Sequence, residues 1–76
     1  MNVYTLDIDH KYGHDLYIHR TKEGAMASLY AYVSKWWDFE ISGIPMPEDR
    51  DAAIQKYFEN MQKHESYVLD TAKLDD

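Results

Sequence analysis

The chain has 76 residues, with eight basic and fourteen acidic side chains, four histidines and no cysteine, for a formal charge of −6. A domain of this length buries only about 60–65% of the surface its unfolded form exposes. Without a disulfide or a thiolate metal site, its stability must come from apolar packing, alone or shared with a second chain. The acidic balance argues against direct nucleic-acid or anionic-membrane binding, and it allows an acidic surface that docks on a basic one. No apolar run reaches the roughly 18–20 residues of a membrane span, and Met1-Asn2-Val3-Tyr4-Thr5 has no signal-peptide character. The expectation is a single compact domain over residues 1–76 that is soluble and cytoplasmic, in the host cytoplasm if a phage encodes it.

Residues 3–20 read as a β-hairpin. Tyr4, Leu6 and Ile8 alternate with Val3, Thr5, Asp7 and Asp9, and Leu16 and Ile18 alternate with Tyr17 and His19, the period of two of a half-buried strand. A three-residue loop Lys11-Tyr12-Gly13 would place the glycine where a type I turn with a G1 bulge needs a left-handed residue. That loop predicts a register in which Ile8 faces Leu16, Leu6 faces Ile18 and Tyr4 faces Arg20. It also sets His10 opposite His14 and Asp9 opposite Asp15.

The bulkiest stretch is Ala25 to Trp37. Ala25, Leu29, Val33 and Trp36 form one helical stripe, with Met26, Tyr30 and Trp37 widening one side and Tyr32 the other. Thr21 suits the N-cap, Glu23 suits the dipole of the first turn, and Gly24 weakens the start. The helix is expected from Lys22 to Trp37 or Glu40. Gly43, Pro45 and Pro47 forbid its continuation. Pro47 is expected in the first turn of a second helix, whose apolar stripe is Ala53, Ile54, Tyr57, Phe58 and Met61 and which ends near Lys63. Ser66 to Ala72 reads as a third strand with Tyr67, Leu69 and Thr71 on one face, and Leu74-Asp75-Asp76 should fray. The implied fold is α+β, in the order ββααβ. A three-stranded antiparallel sheet with the first strand central carries both helices on one face.

The candidate sites are few. His10 and His14, as a cross-strand pair, suggest a metal, but two imidazoles do not complete a zinc site, and ordinary turn histidines are the simpler reading. Asp7, Asp9 and Asp15, with Tyr17, would share the outward face of the hairpin. Opposed carboxylates there point either to a basic partner or to protection of the strands from aggregation. Asp38, Glu40, Glu48, Asp49 and Asp51 form an acidic belt around the inter-helix loop, either decorating a helix N-terminus or docking on lysines and arginines. Tyr30 and Trp37 are candidate interface aromatics, because adjacent tryptophans lie about 100° apart on a helix and only a wide apolar face covers both. The simpler reading is that the second helix and the loop over residues 41–46 cover them. There is no phosphate loop, nucleophile elbow or helical His-Glu-x-x-His. No cofactor and no catalytic residue is indicated.

Tyr4-Thr5-Leu6-Asp7-Ile8-Asp9-His10, His14-Asp15 and Tyr32-Val33-Ser34-Lys35-Trp36-Trp37 resemble segments of small proteins of bacteria and their phages. In size, acidity, absence of cysteine and α+β pattern the chain is also similar to the anti-CRISPR class of phage inhibitors. That resemblance implies a protein that acts without chemistry by occupying a surface on a CRISPR effector complex, and it carries over no individual residue. The function expected is therefore a non-enzymatic interaction module that sets acidic groups against a basic, nucleic-acid-binding protein. A homodimeric structural or regulatory module and a histidine-based metal-binding protein are the alternatives.

Overall fold

The computed structural model describes residues 1–74 as five elements: β1 (Asn2–His10), β2 (Gly13–His19), α1 (Lys22–Glu40), α2 (Arg50–Met61) and β3 (Ser66–Lys73). The strands form one antiparallel sheet in the order β2-β1-β3, so the first strand is central, as expected. Both helices cover the sheet face that carries Leu6 and Ile8. The core beneath them is built from Leu6, Ile8, Leu29, Val33, Trp37 and Tyr57, closed by Ile41, Ile54, Phe58 and Met61. No helix among the described residues is long and apolar enough to cross a membrane. The fraying expected at Asp75 and Asp76 lies outside the described residues, whereas the Leu74 N–H donates to the Met1 carbonyl at 2.7 Å.

The helices start where side chains can cap them. Thr21 Oγ1 accepts the Gly24 N–H at 3.0 Å, and Asp49 Oδ2 accepts the Ala52 N–H at 2.9 Å. The second cap corrects the expectation for Pro47, which lies outside the helix, two residues before the aspartate that supplies the orphan amide with an acceptor. Gly24 has a packing reason to stay glycine. A Cβ there would come within 3.0 Å of His19 Nδ1 and 3.2 Å of Thr21 Oγ1. The N-termini of the helices are tied together by Arg50, which donates to both carboxylate oxygens of Glu23 at 2.9 and 3.2 Å.

The hairpin register differs from the expected one by a single residue. Asp9 pairs with His14, Ile8 with Asp15, Asp7 with Leu16, Leu6 with Tyr17 and Thr5 with Ile18. Only Lys11 and Tyr12 lie between the paired residues His10 and Gly13, and Gly13 takes φ +130°. Because the pleat has a period of two, the slip moves every side chain of β2 to the other face. Asp15, Tyr17 and His19 turn toward the helices, and Leu16 and Ile18 turn away. The slip gives two half-buried imidazoles partners: His10 Nε2 lies 3.2 Å from Asp15 Oδ2, and His19 Nε2 lies 2.8 Å from Ser28 Oγ. Pairing these polar groups offsets the exposure of two aliphatic side chains.

The adjacent tryptophans also sort differently. Of the two readings of Trp37, coverage by the second helix and the loop holds and the interface reading does not: it is 3% exposed and lies in the core, with its indole N–H donating to the Ile44 carbonyl at 2.8 Å. Tyr30 is half-buried and packs against the core rather than standing free. Trp36 is the half-buried tryptophan, and its outer neighbour is Phe39, 5.9 Å away between ring centroids.

Candidate functional site

Two surfaces carry chemistry. The first is the sheet face that no helix covers. In its rows across β2, β1 and β3, His14 stands beside Asp9 and Ser66, Leu16 beside Asp7 and Val68, and Ile18 beside Thr5 and Asp70. Leu16, Ile18 and Val68 are 65%, 63% and 62% exposed. Single exposed aliphatics are ordinary, but three grouped on one uncovered sheet face are characteristic of an interaction surface. Asp7 stands between Leu16 and Val68, and His14 Nδ1 lies 3.3 Å from its Oδ1 and 3.8 Å from Asp9 Oδ1.

The structure therefore divides the acidic hairpin face expected from the sequence. Asp7 and Asp9 remain on the open side, while Asp15 and Tyr17 line a cavity on the helix side. His10 and His14 occupy opposite faces and cannot share a metal. Among the described residues no group of three or more potential ligands converges. The belt around the inter-helix loop is largely engaged within the chain. Glu40 accepts from Lys11 at 3.1 Å, Asp49 caps α2, and Asp51 lies 3.5 Å from Arg50 Nε. Asp38 and Glu48 are exposed.

The second surface is a cavity of about 310 Å³ between the hairpin tip and the outer side of α1, walled by Tyr12, Tyr17, Tyr32 and Trp36. Glu65, in the connection between α2 and β3, also lines it and is 5% exposed. Its Oε1 accepts the hydroxyl protons of Tyr32 and Tyr57, each at 2.7 Å. Sequence reasoning overlooked this residue. The signal that points to it is indirect: a tyrosine on the buried stripe of each helix needs an acceptor for its hydroxyl.

His10 lines the same cavity, with both ring nitrogens occupied. The Tyr12 backbone N–H donates to Nδ1 at 3.2 Å, which leaves the proton on Nε2 to donate to Asp15. Its ring stacks on Tyr32 at 6.2 Å. An imidazole so engaged is a latch for the hairpin tip, with no free lone pair for a substrate proton or a metal. The His19–Ser28 pair has a nucleophile beside a base, yet among the described residues no carboxylate bonds His19 Nδ1 to orient it.

Burial, and then donation to the Glu65 carboxylate, pushes both the Tyr32 and the Tyr57 phenols well above the usual tyrosine range. In the unfolded chain these groups ionise near pH 10, while the fold keeps their protons. The folded state then binds more protons than the unfolded one above about pH 10. The contribution is fully present below that pH and is lost as pH rises, at about 1.4 kcal/mol per unit for each phenol. Denaturant unfolding from pH 8 to 11 should show this fall, and Tyr57→Phe should make it shallower by one phenol's share. Parallel slopes for the two proteins would mean that Tyr57 ionises equally in both states.

Comparison of the chain with protein families, curated proteins and solved structures gives no match, so the functional reading rests on this geometry.

Proposed function

We infer that the protein is a non-enzymatic interaction module that docks its open sheet face on a basic protein. The observation that carries this reading is the exposed trio Leu16, Ile18 and Val68, with Asp7 set among them. An aliphatic surface with a carboxylate near its middle fits a partner that offers an arginine or lysine flanked by apolar groups. The stem of such a side chain packs on the aliphatics while its head meets Asp7 and Asp9. The charge of −6 favours approach to a basic surface at low salt. A nucleic-acid-binding protein is the partner class this suits, since carboxylates can take positions that otherwise hold phosphates. Inhibition of a CRISPR effector complex by a phage protein is the specific form proposed.

The opposing disposition, a homodimer through the same face, would bring Asp7 and Asp9 of two copies together at the centre of an apolar contact. Bringing together four carboxylates, with one His14 imidazole from each copy beside them, disfavours it.

The test is affinity capture from nuclease-treated host lysate over a salt series, comparing wild type with Leu16→Glu and Val68→Glu. Both positions are exposed, so each change should alter stability by no more than about 0.5 kcal/mol. Loss of a salt-sensitive, basic partner in both variants, with unchanged circular dichroism, is the expected result. Equal capture by all three proteins removes the sheet face from the account. A concentration-dependent mass in the wild type that Leu16→Glu abolishes would replace the basic partner with a second copy of the chain.

A further inference from the structure

The cavity on the helix side is lined by a buried carboxylate that has no direct ion pair among the described residues, although Lys11 and Lys35 line the same cavity and the Glu65 charge acts on Lys11. Glu65 is the buried charged residue of the fold, and the groups that donate to it are two neutral phenols. Among the described residues no lysine, arginine or histidine lies within ion-pair distance of it, although buried carboxylates are ordinarily matched by a cation. Both phenolic protons go to Oε1, and Oε2 is left without a hydrogen-bond partner among the described residues, yet it is not a sealed, unsatisfied atom. Oε2 thus keeps some accessible surface, and Glu65 is one of the residues that line the cavity.

The other carboxylates on the cavity wall are already engaged, Asp15 by His10 and Glu40 by Lys11. Tyr12, Tyr32 and Trp36 supply aromatic surface, which favours a desolvated organic cation, with His10 and Phe58 stacked on Tyr32 and the Lys11 ammonium 5.6 Å from the Tyr12 centroid. The chain gives an internal example of that preference: the Lys35 ammonium sits over the Trp36 ring, 5.3 Å from its centroid.

We propose that this cavity binds a guanidinium or alkylammonium group, with the Glu65 carboxylate as its counter-ion and Tyr32 and Trp36 as its walls. The volume, about 310 Å³, is at the lower end for ligand sites and fits a group carried on a short chain. The cation has two sources, a free small molecule or an arginine or lysine side chain of a bound protein. Lys35 separates them. It also lines the cavity, is exposed, and has no carboxylate partner among the described residues, so it would reward a ligand with a carboxylate at its far end. The proposal is independent of the sheet-face reading, because cavity and open face lie on opposite sides of the sheet.

The test is an NMR titration of the intact protein, following the backbone amides of Tyr12 and Tyr32 and the Trp36 indole. The probes are 4-guanidinobutyrate, Nα-acetyl-arginine amide and hexanoate. Saturable shifts with at least one guanidinium probe and none with hexanoate are expected. Glu65→Gln, which keeps an oxygen for the two phenols, should weaken binding at least tenfold. Because that variant alters a buried group, Ala31→Leu is the companion: Ala31 is an exposed α1 residue on the cavity wall, and leucine there fills the space without touching the core. Tighter binding of 4-guanidinobutyrate, lost in Lys35→Met, assigns the site to a free zwitterion. Equal binding of the blocked arginine assigns it to a protein side chain. Absence of saturation with every guanidinium probe, or affinity unchanged in both Glu65→Gln and Ala31→Leu, would overturn the proposal.

Discussion

Glu65→Ala is expected to destabilise the protein by about 2–4 kcal/mol. The carboxylate is 5% exposed and is the shared acceptor of two phenolic protons at 2.7 Å. Deleting it strands both hydroxyls, and a buried donor without an acceptor costs about 1–3 kcal/mol. The Tyr57 side chain is fully buried in the core, so its share should lie toward the upper end. For a domain of this size each kcal/mol shifts the melting temperature by roughly 4–8 °C, which makes the loss easy to read by thermal circular dichroism. Glu65→Gln preserves an acceptor oxygen and should cost only about 1–2 kcal/mol. If alanine and glutamine prove equally mild, water in the adjoining cavity has taken over the two hydroxyls.

What the sequence made legible follows its periodicities. The alternation of Tyr4, Leu6 and Ile8 identified both the central strand and its buried face, and the stripe of Ala53, Ile54, Tyr57, Phe58 and Met61 is the buried set of α2. The hairpin register was not legible in the same way. Alternation places Leu16 and Ile18 together, but a loop of two residues or three decides which face they join. Placing Gly13 at the bulge position of a three-residue loop chose the wrong loop, and the apolar-to-apolar match it produced agreed with that choice, whereas the helix side of β2 borders a cavity and contributes little to the core. Trp36 and Trp37 posed a similar problem. Both belong to the apolar arc of α1, and the position of α2 and the loop carbonyl of Ile44 selects Trp37 for burial. Phe39, 79% exposed, had no reading in the sequence at all.

The same size limit links the core to the two surfaces. Two helices suffice to cover one face of a three-stranded sheet, and antiparallel sheets tolerate solvent on the other. In most such sheets that outer face is polar. Here β2 and β3 direct branched aliphatics outward on both sides of Asp7, while Asp15 and Tyr17 of β2 are turned inward to the cavity wall. The edge strand thus spends its apolar residues on the surface, an arrangement that costs stability in the isolated chain and that the partner proposed above would recover by covering that face.

Trp37→Ala should cost about 3–5 kcal/mol, the range for truncating a large buried aromatic. Two contributions are separable. The indole packs in the core against Tyr57, with ring centroids 6.3 Å apart, and its N–H holds the Ile44 carbonyl at 2.8 Å. The second contact fastens the connection after α1 to the helix, next to Gly43, whose φ of +87° turns the chain. Trp37→Phe retains most of the packing but removes the donor, and should cost about 1–2 kcal/mol. It should also speed amide hydrogen exchange in residues 41–46 while leaving β1 protected. Trp36→Ala is the control, since a half-buried ring beside an exposed Phe39 gives up less burial, at about 1 kcal/mol. Equal losses for the two tryptophans would mean that the helix is rotated from the orientation that buries Trp37. Emission spectra provide a second readout of the same difference. The single-tryptophan protein retaining Trp37 should fluoresce from an apolar site, and the one retaining Trp36 from a partly wet one.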